Sequence, residues 1–378
     1  MKTILTFALA LIATASPALA AQKMHVYFGT SGRGDSKGIY HALLDLESGA
    51  VTEPALAAEI GSPGFLAIAP GGKHLYSVCA LEGVERKESG GVAAFALDPV
   101  SGALEQINLE RSGGPGPCHV SVDATGAALL VANYSGGSVA SFPIAADGSL
   151  GPAASFVQHQ GSSVDPKRQS APHAHSVNLD PGNRFAVVAD LGMDQVLIYR
   201  FDPGTATIEA HGSVALPPGS GPRHLSFRPD GKFAYVVNEM TSTMSALAWD
   251  PAKGELKVVE TVSTLPGGKP VEGNSTAECL VHPSGKFVYG SNRGHNSIVV
   301  FAIDPEKGAL SYVENEPTRG EIPRNFGIDP SGRWLLAANQ KSGTVAVFAI
   351  DQQSGALEAT GQILEVPAPI CVRFLAVE

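Results

Sequence analysis

An apolar run that ends in a small or polar residue recurs seven times along the chain, at Thr30, Cys79, Asn133, Asp190, Asn238, Asn292 and Asn339. The intervals are 49, 54, 57, 48, 54 and 47 residues. A repeat of about 50 residues narrows the fold to architectures in which one supersecondary unit is stacked or arrayed around an axis. The clearest copy is Gly221–Glu239. Leu225 and Phe227 alternate with polar neighbours, Pro229-Asp230-Gly231 makes a turn, and Ala234–Val237 forms a second apolar run, the pattern of a tight hairpin. A third strand follows in other copies, as in Val196-Leu-Ile-Tyr199 and Ile298–Ile303, and a fourth in Leu256–Val262. Helical repeats of similar length need an apolar face at helical spacing, which these alternating, β-branched runs lack. Four strands per repeat and seven repeats predict an all-β fold, a seven-bladed β-propeller of four-stranded antiparallel blades. The 43 Gly and 27 Pro, spread evenly, fit the many turns this requires.

The first copy lacks an opening strand, because the mature sequence starts at the second-strand equivalent, Met24–Thr30. Cys371–Val377 reads as the missing strand. Pairing the two ends in one blade closes the ring and removes an exposed sheet edge. The propeller is expected to occupy 21–378 as one domain.

Residues 1–20 read as a separate segment. Lys2 gives a positive start, Ile4–Ala15 is a short apolar run, and Ala18-Leu19-Ala20 fits a small-residue cleavage site. The run is shorter than the roughly 20 residues that span a bilayer. The expectation is a cleaved signal peptide and a periplasmic or secreted protein, with no membrane partner. The formal net charge of −10 argues against nucleic acid. Four widely spaced cysteines, Cys79, Cys118, Cys279 and Cys371, offer no zinc or redox motif. Most are expected to be small buried residues in strands, and the sequence leaves any pairing open. A monomer without a cofactor is expected.

In an antiparallel blade, first-strand entries and second-strand exits lie at the same face. Entries bring Cys118 and His119, His173 and His175, Arg223 and His224, Glu278, and Arg324 and Asn325 to one mouth of the channel. Exits bring Asn133, Asp190, Asn238, Glu239, Asn292, Arg293, His295 and Asn339. The opposite face receives repetitive turns of the Pro-Asp-Gly kind. The recurring Asn and Asp read as turn caps. Three arginines at one mouth suggest an anionic ligand, because guanidinium suits carboxylate and phosphate. Glu239 among them is expected to be ionised and able to act as a base or to orient His175. His173 and His175 could donate two metal ligands, but the neighbouring cations oppose a metal and none is expected. Neither a Gly-x-Ser-x-Gly elbow nor a phosphate-binding loop motif is present.

The Gly221–Glu239 stretch, with Pro172-His-Ala-His175 and Ile322-Pro-Arg-Asn325, resembles the lactonase family of seven-bladed propellers. Val26-Tyr-Phe-Gly-Thr30, Lys37-Gly-Ile-Tyr40 and Ala132–Val139 are similar to it as well. That family includes propeller-type 6-phosphogluconolactonases and a carboxy-muconate cyclising enzyme. The resemblance implies a metal-independent lactone site with His175, Arg223 and Glu239 as catalytic groups and Arg293 or Arg324 as a further arginine. Asn325, His173, His224 and His119 complete the expected substrate-binding set. The expected reaction is hydrolysis of an anionic, sugar-type small-molecule lactone. A muconate-type cycloisomerase and an exported, non-catalytic propeller that binds an anionic partner are the alternatives. The family's pentose-phosphate reaction is cytoplasmic, so the expected export points toward a different sugar lactone or a carboxylated lactone.

Overall fold

The computed structural model describes residues 23–85 and 88–378. The segment 1–20 that reads as a signal peptide lies outside the described residues. Within them the strands form seven four-stranded antiparallel sheets. The seven-bladed propeller read from the repeat is the fold. Second strands end at Thr30, Cys79, Asn133, Asp190, Asn238 and Asn339, and the sixth runs one residue beyond Asn292, to Arg293.

Blade 1 is closed by both ends of the chain. Its inner strand is Pro369–Ala376, and it pairs with Lys23–Thr30. The inner strands of blades 2 to 7 are Leu66–Ile68, Pro117–Val122, Ala174–Leu179, Pro222–Phe227, Ser275–Val281 and Pro323–Ile328. Each touches the next around the ring, and the last touches the closing strand.

Apolar second and third strands bury their side chains between adjacent blades. Val187, Ala189, Leu225, Val236 and Trp249, for example, form one such layer. A repeated bond locks the blades together: Tyr27, Tyr76, Tyr235 and Tyr289 each donate a hydroxyl to the carbonyl of a turn glycine in the next blade, Gly102, Gly148, Gly308 and Gly355. Gly308 has φ +69°, and a Cβ there would lie 2.2 Å from the Phe233 ring. Only glycine meets both demands.

The exit asparagines are structural, as their recurrence suggested, though they reach further than a local turn. Asn133, Asn292 and Asn339 donate to the carbonyls of Ser112, Thr264 and Thr318, residues that follow an outer strand 21 to 28 positions earlier. Asn238 instead bonds Thr243 and Ser245 in its own blade.

Candidate active site

The inner strands do more than line a channel. In six of the seven blades the register slips at the start of the inner strand, after the first paired residue in five of them and after the second, Thr276, in blade 6. Such a bulge sets two residues against one and re-aims a side chain. The bulged positions hold Ile370, Cys118, His175, Arg223-His224, Ala277-Glu278 and Arg324. Before several bulges stands a proline preceded by a left-handed residue: Gly116, Gly221, Ile322 and Ala368 have φ of +67°, +63°, +59° and +46°. Ile322, β-branched, is strained there; its N–H is held by Asn296 Oδ1 at 2.9 Å.

The result is two stacked rings of side chains. The upper ring, the residue after the opening position, comprises Gly64, Cys118, His175, Arg223, Ala277, Arg324 and Ile370. One residue deeper lie Phe65, His119, Ser176, His224, Glu278, Asn325 and Cys371, all buried. Part of the upper ring, including Cys118, His175, Arg223 and Arg324, lines a cavity of about 260 Å³ together with Arg33 and with Phe65 and His224 from the deeper ring.

Glu239 sits at the exit of blade 5 and is gripped by three guanidiniums. Arg168 Nη2 donates to Oε1 at 2.7 Å, and Arg293 Nη2 lies 2.9 Å from Oε2. Arg223 Nε is 3.0 Å from Oε2, an ion-pair contact at an angle too poor for a hydrogen bond. Burial opposes the charge of Glu239, but Arg293 and Arg223, with Arg168, outweigh it and hold its carboxyl well below the usual range. Arg223 and Arg293 also donate to the carbonyls of Ala277 and Thr276.

Arg324 is different. Among the described residues it has neither a hydrogen-bond nor an ion-pair partner, yet it lines the cavity. Burial, with Arg293 beside it, lowers its pKa to about 10, so it remains charged at neutral pH.

Glu278, one blade on, keeps different company. Its Oε1 accepts the N–H of Cys279 at 2.9 Å and lies 2.9 Å from His224 Nδ1. Its Oε2 accepts Asn325 Nδ2. Asn325 Oδ1 in turn accepts the N–H of Val372 at 2.8 Å, which fixes the orientation of the amide. Burial raises the carboxyl of Glu278, against the pull of Arg373 and the Cys279 N–H. Burial also holds the imidazoles of His175, His224 and His119 well below the ordinary range, helped by Arg223 for the first two and by His224 for the third. They are neutral at pH 7.

The expected site residues are therefore spread over distinct positions. His175, Arg223, His224 and Arg324 line the cavity. Glu239 and Arg293 adjoin Arg223 in the ion-pair cluster. Asn325 and His119 belong to the deeper ring, His119 packed on Phe65 at 4.1 Å between ring centroids. His173 is set aside from the cavity, stacked on Tyr134 and hydrogen-bonded to its carbonyl. Arg168 escaped the sequence reading. It lies on the loop between the strands Ser155–Gln158 and Ala174–Leu179, where nothing in the sequence singles out the arginine. All four cysteines are free, and Cys118 lies 3.8 Å from His175 Nδ1. Among the described residues no group of three or more His, Cys, Asp and Glu side chains is gathered to hold a metal ion.

The family model described as "Lactonase, 7-bladed beta-propeller" matches residues 25–374. A 6-phosphogluconolactonase of Bacillus subtilis is 39% identical over 350 residues, which cover 92% of this chain and 97% of that protein. A 6-phosphogluconolactonase of Formosa agariphila is 35% identical over 72% of this chain and 78% of its own length. The structure of a periplasmic gluconolactonase of Pseudomonas aeruginosa superposes with a TM-score of 0.88 at 36% identity, covering 94% of this chain and all of that one. The chain therefore belongs to the lactonase family of seven-bladed β-propellers.

Proposed function

We propose that this protein is an exported lactonase that opens the ring ester of a sugar lactone by hydrolysis. Family membership and the 6-phosphogluconolactonase relatives support the reaction. The leader-like residues 1–20 and the periplasmic gluconolactonase from Pseudomonas aeruginosa support the location.

One observation carries the reading at the level of chemistry: a charged, unpartnered Arg324 faces a small cavity shared with Arg223 and two neutral imidazoles. Hydrolysis of an ester adds water to the carbonyl carbon and places negative charge on the carbonyl oxygen. Arg324 is free to take that charge. A donor of this kind is worth roughly 100- to 1,000-fold in rate. Arg223, held by Glu239, fixes the ring, and the neutral imidazoles of His175 and His224 are the acceptors present for the water proton. Glu239, with both oxygens engaged by arginine, suits holding those cations in place better than taking a proton. The cavity is smaller than the roughly 300–1,000 Å³ of drug-sized ligand sites, which suits a single sugar ring.

The local cations in an acidic protein favour a substrate that carries or develops negative charge. The test is pH-stat hydrolysis of glucono-δ-lactone, 6-phosphoglucono-δ-lactone and a muconolactone. Opening of a sugar lactone well above the buffer rate is expected. Turnover of the muconolactone alone, or of none, would refute the reading.

A further inference from the structure

Two imidazoles share the cavity, and their settings differ. Among the described residues no carboxylate is hydrogen-bonded to the His175 ring, and its Nδ1 lies 3.8 Å from Cys118 Sγ. His224 is held by a buried carboxylate, with Glu278 Oε1 2.9 Å from Nδ1. The other ring nitrogen of His224, Nε2, is buried and has no hydrogen-bond partner. A buried imidazole nitrogen without a partner costs free energy unless something in use occupies it.

The support behind Glu278 determines which way the pair is protonated. The backbone N–H groups of Cys279 and Val372 can only donate. Val372 therefore fixes Asn325 Oδ1 as acceptor, and Asn325 Nδ2 must donate to Glu278. With Cys279 N–H on the other oxygen, Glu278 already receives two fixed donors. A carboxylate placed so accepts a third from His224 Nδ1–H, which leaves the Nε2 lone pair bare. The chain of bonds runs from blade 5 through blades 6 and 7 to the closing strand of blade 1. Phe65, His119 and His175 pack edge-on against the ring at 5.5, 5.3 and 5.2 Å and restrict its rotation.

We propose that His224 is the general base of this site and that Glu278, braced by Asn325, is its positioning residue. This rests on the lactonase reading above. In the step, His224 Nε2 takes a proton from water as the water oxygen bonds to the lactone carbonyl carbon. The carbonyl π pair moves onto oxygen beside Arg324. When the carbonyl re-forms, the ring C–O bond breaks and its electron pair leaves with the ring oxygen. That oxygen takes the proton back from Nε2. The products are the open hydroxy acid and a neutral imidazole.

His224 is neutral at working pH because burial, Arg223, Arg324 and Arg373 oppose its charge, while Glu239 favours it; His119, His175 and Glu278 are titratable neighbours in direct contact with its ring. The active form of the pair holds one proton, on Nδ1, so its loss in acid belongs to His224 and Glu278 jointly.

The test compares His224→Asn, Glu278→Gln and His175→Asn on glucono-δ-lactone across pH 5 to 8. His224→Asn is expected to lower kcat by about 100-fold or more, the typical weight of general base catalysis, with KM changed by less than about threefold. Glu278→Gln should lower kcat by roughly 10-fold or more and displace the acid limb of the pH profile. His175→Asn should leave that limb in place, whatever it does to the rate. A His224→Asn enzyme within about threefold of wild-type kcat would overturn the proposal, as would loss of the limb in His175→Asn alone. If the His224 variant does not fold, ¹⁵N-histidine NMR of the intact protein decides: Nδ1 protonated and Nε2 bare is expected, and the reverse tautomer refutes the dyad. The NMR result stands apart from the reaction, so a wild-type protein inert on every lactone would count against the lactonase reading and not against the dyad.

Discussion

Glu239 and Glu278 are both buried glutamates at one end of the channel, in neighbouring blades, yet their surroundings push them in opposite directions. Glu239 meets three guanidiniums and is held as a permanent anion. Glu278 meets an imidazole, a side-chain amide and a backbone N–H, and burial raises its carboxyl. The difference is one of partners, since both are nearly sealed from water. A carboxylate that compensates fixed cations cannot easily exchange a proton, whereas one that holds an imidazole sets where the imidazole's proton sits. The site thus separates electrostatic scaffolding, in blade 5, from proton handling between blades 5 and 6.

The largest effect should come from breaking the first half of the comparison. Glu239→Gln leaves Arg223 and Arg293 without their shared counter-charge inside the protein. Removing one partner of a buried ion pair typically costs about 3–5 kcal/mol. Urea unfolding at pH 7 should show a loss of that size. A variant as stable as wild type would show that the cluster is held by its carbonyl contacts alone. Next comes Arg324, which among the described residues has no partner to orphan. Arg324→Ala should reduce kcat/KM on a sugar lactone by roughly 100- to 1,000-fold while leaving the melting temperature unchanged or higher. A variant that melts earlier with its activity intact would assign Arg324 to structure.

Acid titration sharpens the contrast, because the two glutamates should bend stability in opposite senses. The folded-state pKa of Glu239 is depressed, so its contribution is complete above the ordinary value of 4.5 and is lost as pH falls below it. The gap between wild type and Glu239→Gln should narrow on going from pH 7 to pH 4. For Glu278 the folded-state pKa is raised, so its neutral form favours folding below 4.5 and that advantage is lost as pH rises through the folded value. Glu278→Gln should therefore gain on wild type between pH 4 and pH 7. A tenfold difference in proton affinity is worth about 1.4 kcal/mol, enough for denaturant melts to resolve the sign. Parallel curves for the two variants would dissolve the distinction.

The fold was legible because its determinants are local. Alternating runs such as Leu225–Phe227, turn residues such as Pro229-Asp230-Gly231, and their recurrence specify hairpins, and seven of them with complementary ends specify a closed ring. The entry positions of the site were legible for the same reason, since each follows a turn. The bulges were not. A slip between Pro222 and Leu225 depends on how two strands pair, and it is this slip that sets Arg223 on the wall and His224 beneath it. Nor could the sequence rank the arginines. Arg293 and Arg324 occupy comparable places at the mouth, and only the path of Glu239 shows that one is engaged and the other free. Arg168 lies 71 positions from Glu239 on a loop without a pattern, so their pairing had no sequence signal.

That loop supplies the smallest test. Its ends are pinned: His159 Nδ1 lies 2.6 Å from Asp190, Tyr199 OH meets His159 Nε2 at 2.9 Å, and Gln169 Nε2 donates to Leu191 O and Asp194. Arg168 Nη2 also donates to the Tyr134 hydroxyl at 3.2 Å, but the arginine side chain is 43% exposed, unlike those of Arg223 and Arg293. Water and salt screen such a pair, and exposed pairs contribute about 0.2–1 kcal/mol. Arg168→Ala should therefore cost no more than about 1 kcal/mol in urea, several times less than Glu239→Gln, and that cost should shrink further in 0.5 M salt. The two buried arginines would then be sufficient to keep Glu239 charged, with Arg168 a lid over Oε1. A loss equal to that of Glu239→Gln would mean that the three guanidiniums act as one unit, and the scaffold in blade 5 would extend into the loop.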